Sequence, residues 1–213
     1  MRIVELSLPI DAFQKKGHTK SIFSFNVKEV PLKSNDIKYT GVIYDFQIDS
    51  MAGTYIDLPG HIKETDDGAE LSSFPPEKLY RLNTVAIHLD RSEGGVDAKE
   101  LASAGKSDIS KADAVIINGF GSSYVEESKS RKLFLTKDAV EWLIGANVKL
   151  VVSDIYESNA LHGVFYYLFS AGISTVCNPV NLHLVGDSCR LSIFPLPLKG
   201  ITQAPCRVIA EIL

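Results

Sequence analysis

Two short runs, Ala114–Asn118 and Lys149–Ser153, narrow most what this chain can fold into. The first is almost continuously apolar and the second nearly so, as expected of strands covered on both faces in a layered sheet. The segments around them read as helices. Thr136 stands as the N-cap of a helix over Lys137–Ala146, with Asp138 in its first turn and Gly145 and Asn147 punctuating its end. A second helix is expected over Asn159–Ala171, closed by Gly172, and Ser174–Val176 resumes as strand. Leu191–Leu198 and Cys206–Leu213 complete the chain as two more strands.

Strands dominate the first third. Ile3–Leu8, Ile22–Val27, Thr40–Ile48 and Thr84–Leu89 have the alternation and β-branching of strands, and Ala98–Ala104 suggests a short helix. Between the third and fourth strands lies a polar stretch, Asp49 to His61, that holds Gly53, Pro59 and Gly60. Turn residues directly after a strand are where side chains are commonly aimed at a ligand. No repeat, low-complexity tract or linker interrupts the 213 residues, so residues 1–213 are expected to form one α/β domain. A chain of this length buries a sizeable core without disulfides.

Composition removes several classes of function. Lys+Arg 22 against Asp+Glu 26 gives a net charge of −4, which leaves no electrostatic case for nucleic acid. The longest apolar stretches, Val148–Val152 and Val164–Ile173, fall far short of a membrane span. Glu5 interrupts what would be the apolar core of a signal peptide, so the start reads as a first strand and the protein as soluble and cytoplasmic. Cys177, Cys189 and Cys206 are an odd number with no C-x-x-C spacing, which disfavours a disulfide framework or a zinc knuckle.

The segment richest in chemistry is Met51-Ala52-Gly53-Thr54-Tyr55-Ile56-Asp57-Leu58-Pro59-Gly60-His61. It resembles the H-x-G-T-H-x-D-x-P-x-H signature of the cyclase family of metal-dependent hydrolases, which includes bacterial kynurenine formamidase and isatin hydrolase. Gly53, Thr54, Asp57, Pro59 and His61 stand in register, while the two leading histidines fall on Met51 and Tyr55. The resemblance runs in order along nearly the whole chain. Ile3–Ser7 is similar to the family's opening strand, and Ala112–Ile116 followed by Gly119-Phe120 to a later strand and loop. Thr136–Asp154 is similar to its helix and strand, and Ala171-Gly172-Ile173 with Asn178, Asn181 and Leu182 to the segment after them. Pro195–Gly200 and Ala204–Ala210 resemble its C-terminal strand.

The resemblance implies a layered β/β/α swivelling domain of the cyclase type, assembled as a homodimer or homotetramer. It also implies a divalent metal, bound by the two histidines and the aspartate of the signature with a later His and Glu, and an acid/base role for the last signature His. Carried over, these positions are Met51, Tyr55, Asp57, Phe165, Cys177 and His61, so Asp57 is the one metal ligand retained. A catalytic zinc normally needs three N, O or S ligands. No cofactor is therefore expected, with Zn or Mn reserved for a rebuilt site in which His162, one turn before Phe165, joins Asp57, His61 and Cys177.

Each residue has a plainer reading beside the functional one. His61 suits general acid/base work, or is a structural histidine after a Pro-Gly turn. Asp57 orients it, or organises the loop. Tyr55 donates to a substrate carbonyl, or fills volume that a metal vacated. Met51, Phe165 and Cys177 line a small-molecule pocket, or plug it; Cys177 as a nucleophile is the weakest of these readings. Three functions follow: a hydrolase of a cyclic or aryl amide with a degenerate metal site, a metal-independent lyase or cyclase using His61 and Asp57, and a non-catalytic ligand-binding or oligomeric relative.

Overall fold

The computed structural model describes residues 1–10, 23–122, 132–158 and 163–212. The two apolar runs are strands, as their composition requires. They appear as β7 (Ala114–Asn118) and β9 (Leu150–Ser153), and β7 pairs in parallel with both β9 and β5 (Leu82–His88). β10 (Ser174–Cys177) extends this parallel set on the far side of β9. β11 (Ser188–Pro195) joins antiparallel to β5, and β12 (Gln203–Ile212) antiparallel to β11. A three-residue strand, β4 (Tyr55–Asp57), then bridges β10 and β12 and closes the sheet into a barrel-like ring. β1 (Arg2–Glu5) pairs with the last residues of β12, beside β4 on the same edge.

The closed sheet explains why its strands are apolar on both sides. Ala86, Ile116, Val152, Val176, Ile56 and Val208 pack in one core. Their neighbours Ile87, Val115, Val151, Cys177 and Tyr55 pack in a second core, beneath the helices. α1 (Ala98–Ala104) buries Leu101 there, α2 (Lys137–Gly145) buries Ala139, Val140 and Leu143, and α3 (Val164–Ser170) buries Val164 and Leu168. Asp97 caps α1 by accepting from the Glu100 amide at 2.7 Å. Thr136 holds the N-cap position of α2, but its side chain makes no capping bond. Its hydroxyl instead lies 2.9 Å from the Val96 carbonyl and 2.6 Å from Asp138. Among the described residues no helix is long and apolar enough to cross a membrane.

Three elements differ from the sequence reading. The strands expected at Ile22–Val27 and Thr40–Ile48 are one long hairpin, β2 (Phe23–Ser34) and β3 (Ile37–Ile48), paired along its full length. Gly94–Val96 and Leu133–Leu135 form a small parallel pair, β6 and β8. The second helix begins at Val164 rather than Asn159; Asn159–His162, with His18, lie outside the described residues.

The Gly-Thr pair of the signature is a structural tie. Gly53 has φ +62°, and a Cβ there would meet Ile10 Cγ1 and the Leu8 carbonyl at 2.7 Å. Thr54 is 1% exposed; its hydroxyl accepts from the Leu8 amide and donates to the Asn178 carbonyl, both at 2.7 Å. Thr54→Val leaves both partners unsatisfied in a buried site. It should lower unfolding free energy by about 2 kcal/mol in urea titrations, and an unchanged midpoint would contradict the tie.

Asp154 follows β9 and accepts from the Gly119 amide at 2.7 Å and, more weakly, the Phe120 amide at 3.3 Å. Burial pushes its carboxyl up to about 6, against the pull of those amides. The folded state then holds this proton where the unfolded state has released it, so stability falls as pH rises from about 4 to 6. Asp154→Asn should remove that slope. Wild type should lose about 2 kcal/mol relative to the variant between pH 4 and 7; parallel pH–stability curves would refute the assignment.

Candidate functional site

β4 is too short to form its own layer and takes its geometry from its two neighbours. Asp57 lies opposite Thr175 of β10 and Gln203 of β12, and Tyr55 opposite Cys177 and Pro205. Strand alternation sends Ile56 into one core and turns Tyr55 and Asp57 together toward the helix side. Pro59 then starts a single 3₁₀ turn, Pro59–His61, in which the His61 amide donates to the Leu58 carbonyl at 2.9 Å. That turn carries His61 out to solvent, where it is exposed, while Asp57 behind it is only 2% exposed.

Gln203 connects the two. Its Nε2 donates to Asp57 Oδ1 at 2.6 Å and lies 3.4 Å from His61 Nε2. Its Oε1 accepts from the Ser50 hydroxyl at 2.5 Å, which fixes the amide's orientation. Thr175 Oγ1 and Cys177 Sγ approach Asp57 Oδ2 at 3.5 Å, each a weak contact. Burial raises the Asp57 carboxyl above the usual range, opposed by the charge of His61 and by the Gln203, Cys177 and Thr175 contacts. The result is a buried carboxylate held by neutral donors and connected through one amide to an exposed imidazole.

An aromatic row forms the wall above this group. Tyr156 stacks on Phe165 with centroids 4.8 Å apart, Phe165 lies 5.9 Å from Phe169, and His61 stands edge-on to Phe169 at 6.3 Å. The Tyr156 hydroxyl is within 2.9 Å of the Val151 carbonyl and 2.8 Å of the Val176 carbonyl, joining β9 to β10. Burial, with the nearby Cys177 and Asp57, pushes this phenol well above its ordinary range. Glu157 Oε1 accepts from the Gly163 and Phe165 amides at 2.8 and 3.4 Å and so fixes the start of α3 under Phe165. Met51 packs against the same core, half-buried.

The structure therefore gathers Met51, Tyr55, Asp57, His61, Phe165 and Cys177 in one place, and His162 falls outside the described residues. Tyr55 and Cys177 are 5% and 4% exposed, so both face the packed interior. Gln203, Tyr156, Phe169, Glu157 and Ser50 are the members that sequence reasoning missed. Two of them had a local signal: Tyr156 and Glu157 follow directly on the Lys149–Ser153 strand. Gln203 had none, because it reaches Asp57 from 146 residues away.

The donor set does not fit a divalent metal. Asp57 Oδ1 is committed to the Gln203 amide and Oδ2 faces a hydroxyl and a thiol. The neighbouring positions offer a thioether, a phenol and a phenyl ring, where zinc normally takes three N, O or S ligands. Among the described residues no group of three or more His, Cys, Asp or Glu side chains is placed to hold a metal ion. Elsewhere His88 is engaged by Asn118 at 3.1 Å and by the Gly186 carbonyl at 3.4 Å, as a structural histidine is.

Comparison with known proteins places this architecture. A predicted metal-dependent hydrolase from Bacillus stearothermophilus is similar over 98% of this chain and 97% of its own, at 19% identity and TM-score 0.70. Isatin hydrolase A from Labrenzia aggregata, bound to benzyl benzoate, is similar over 98% and 93% at 18% identity and TM-score 0.73. Isatin hydrolase A from Ralstonia solanacearum gives 98% and 91% at 18% identity and TM-score 0.72. At such identities the likeness is one of fold. No curated protein sequence matches the chain at a significant level. The family model described as "Putative cyclase" matches residues 4–159, most of the chain, and the protein belongs to the cyclase family.

Proposed function

We propose that the chain is a cyclase-family hydrolase of a small cyclic or aryl amide that works by proton transfer through His61 rather than through a metal-bound water. The observation that carries this reading is the exposed imidazole of His61, 3.4 Å from an amide that is itself anchored on buried Asp57. In this mechanism His61 accepts a proton from water as the water oxygen attacks the substrate carbonyl carbon. The C–N bond of the tetrahedral adduct then breaks, and His61 returns the proton to the departing nitrogen. Asp57 and Gln203 hold the imidazole in place. Of the row Tyr156, Phe165 and Phe169, Phe165 is the partly exposed ring and supplies the apolar contact for an aryl group, with the two buried rings packed beside it. Met51, Tyr55 and Cys177 form the floor of the site.

A second reading is favoured by one specific observation, the 2% exposure of Asp57. On that reading the filled site binds an aromatic ligand without turning it over.

Hydrolysis of formanilide and of isatin, followed in the presence of EDTA, separates the readings. Turnover that resists EDTA and falls by about 10²–10⁴-fold in His61→Ala is the expected result. Loss of activity with EDTA and its return with Zn²⁺ would replace the proposal by a metal mechanism. Saturable binding of either probe without turnover would favour the second reading.

Gln203→Ala strips a buried carboxylate of its short donor. It should lower unfolding free energy by about 1–3 kcal/mol and reduce kcat more than it raises KM. An equal stability for the variant and wild type would show that Gln203 does not hold Asp57.

A further inference from the structure

The four parallel strands β5, β7, β9 and β10 all begin along one edge of the sheet, at Leu82, Ala114, Leu150 and Ser174. Against that edge lies a cleft of about 400 Å³, within the size range of small-molecule pockets. None of its lining residues belongs to the group around Asp57 and His61. The cleft also lies on the other side of the sheet. Its Leu82 and Leu150 pack in the core of Ile56 and Val176, not in that of Tyr55 and Cys177.

The floor is buried and largely apolar. Pro59, Leu82 and Leu150 form it, with Ser174 the one hydroxyl among them. Strand alternation turns Ser174 to the side of Val176 and away from Thr175, which faces Asp57. Ser174 is 3% exposed, and its hydroxyl has no hydrogen-bond partner among the described residues. A buried hydroxyl normally has one. No fully enclosed side-chain nitrogen or oxygen among the described residues lacks a partner, so the Ser174 hydroxyl opens onto the cleft.

The wall is preformed. Arg81 takes positive φ (52°), uncommon for a residue with a side chain. Its amide donates to the buried Ser192 hydroxyl at 3.0 Å, and its guanidinium pairs with Glu211 at 3.3 Å, which together hold the turn. That turn leaves Tyr80, 57% exposed, and half-buried Phe74 as the two aromatic rings lining the cleft.

Charge selects the end group of the ligand. Lys149 is the cation next to Ser174, since the Ser174 amide donates to the Lys149 carbonyl at 3.1 Å. Its ammonium donates to the neutral Asn147 side chain at 2.5 Å and meets no carboxylate among the described residues. Asp113, whose carbonyl accepts from the Lys149 amide, has its carboxylate bonded to the Asn83 amide at 2.9 Å. The charge left without a counterion beside the unpartnered hydroxyl is thus positive. The exposed Asp67, Glu77, Lys78 and Arg81 add two charges of each sign and so choose neither.

We infer that this cleft is a small-molecule site, separate from the Asp57–His61 group, for an aromatic carboxylate. The carboxylate accepts from the Ser174 hydroxyl and the Lys149 ammonium, and the ring lies on Phe74 and Tyr80. An ammonium ligand would set its charge against Lys149, and a purely apolar one would leave the Ser174 hydroxyl unsatisfied. Pro59 begins the turn that carries His61, so an occupant of the cleft touches the segment that presents the candidate acid/base.

The test is a ligand-observed NMR titration of the full chain with phenylacetate, which has no C–N bond to hydrolyse. Saturable binding with a Kd of about 1 mM or tighter is expected for a ligand of about ten heavy atoms. The neutral 2-phenylethanol and the cationic 2-phenylethylamine should each bind at least about tenfold more weakly. Lys149→Met and Ser174→Ala, shown to be folded by circular dichroism, should each weaken phenylacetate by about tenfold, while His61→Ala should bind it as wild type does. Absence of saturable binding overturns the inference, as does equal binding of the alcohol or the amine, or indifference to both cleft variants. Loss of binding in His61→Ala alone would move the ligand to the candidate site and overturn it as well. The readout is binding and not turnover, so the outcome is independent of whether the site at His61 is catalytic.

Discussion

Closure of the sheet by β4 is the constraint on which the remaining features depend. A three-residue strand between β10 and β12 completes the ring only if both its edges are paired, and the pairing places Asp57 directly beside Thr175 and Gln203. A carboxylate in that position is cut off from water, and an uncompensated one would cost several kcal/mol. The 2.6 Å bond from the Gln203 amide supplies the compensation. Ser50, His61 and Cys177 take their places around that bond.

This arrangement separates the signature residues into two groups. Gly53, Thr54 and Pro59 serve the backbone: a positive φ, a tie to Leu8 in the segment after β1, and the start of the turn that exposes His61. They remain useful whatever occupies the site. Under the proposed function Asp57 and His61 are the chemical pair, and Met51, Tyr55, Phe165 and Cys177 pack around them or against the same core. A neutral amide now lies between the two, where its N–H donors face the carboxylate and the imidazole. The chain thus keeps the family's fold around a carboxylate whose short hydrogen bond comes from an amide.

The architecture was legible wherever both faces of a strand are buried. Ala114–Asn118 and Lys149–Ser153 carry no polar alternation because each packs into two cores, and their positions in the sheet follow from that. β4 was hidden for a physical reason: three residues inside a turn-rich segment carry no period, and their strand character comes from neighbours more than a hundred residues away. The hairpin was legible only in part. Its apolar side switches midway and Lys28–Ser34 mixes charge, proline and leucine, so no single alternation runs its length. His61, Asp57 and Phe165 were found through the signature and its spacing. Gln203 could be found only once the strand register was known.

The most direct test of the account is the metal content of the purified full chain after loading with excess Zn²⁺ and Mn²⁺, with Asp57→Asn as the comparison. With Oδ1 bonded to Gln203 and no group of three or more His, Cys, Asp or Glu placed to hold a metal among the described residues, Asp57 should hold no ion. Wild type and variant should then give the same sub-stoichiometric content. One ion per chain in wild type, lost in Asp57→Asn, would contradict the account and show that residues around Asp57 rearrange into a true metal centre.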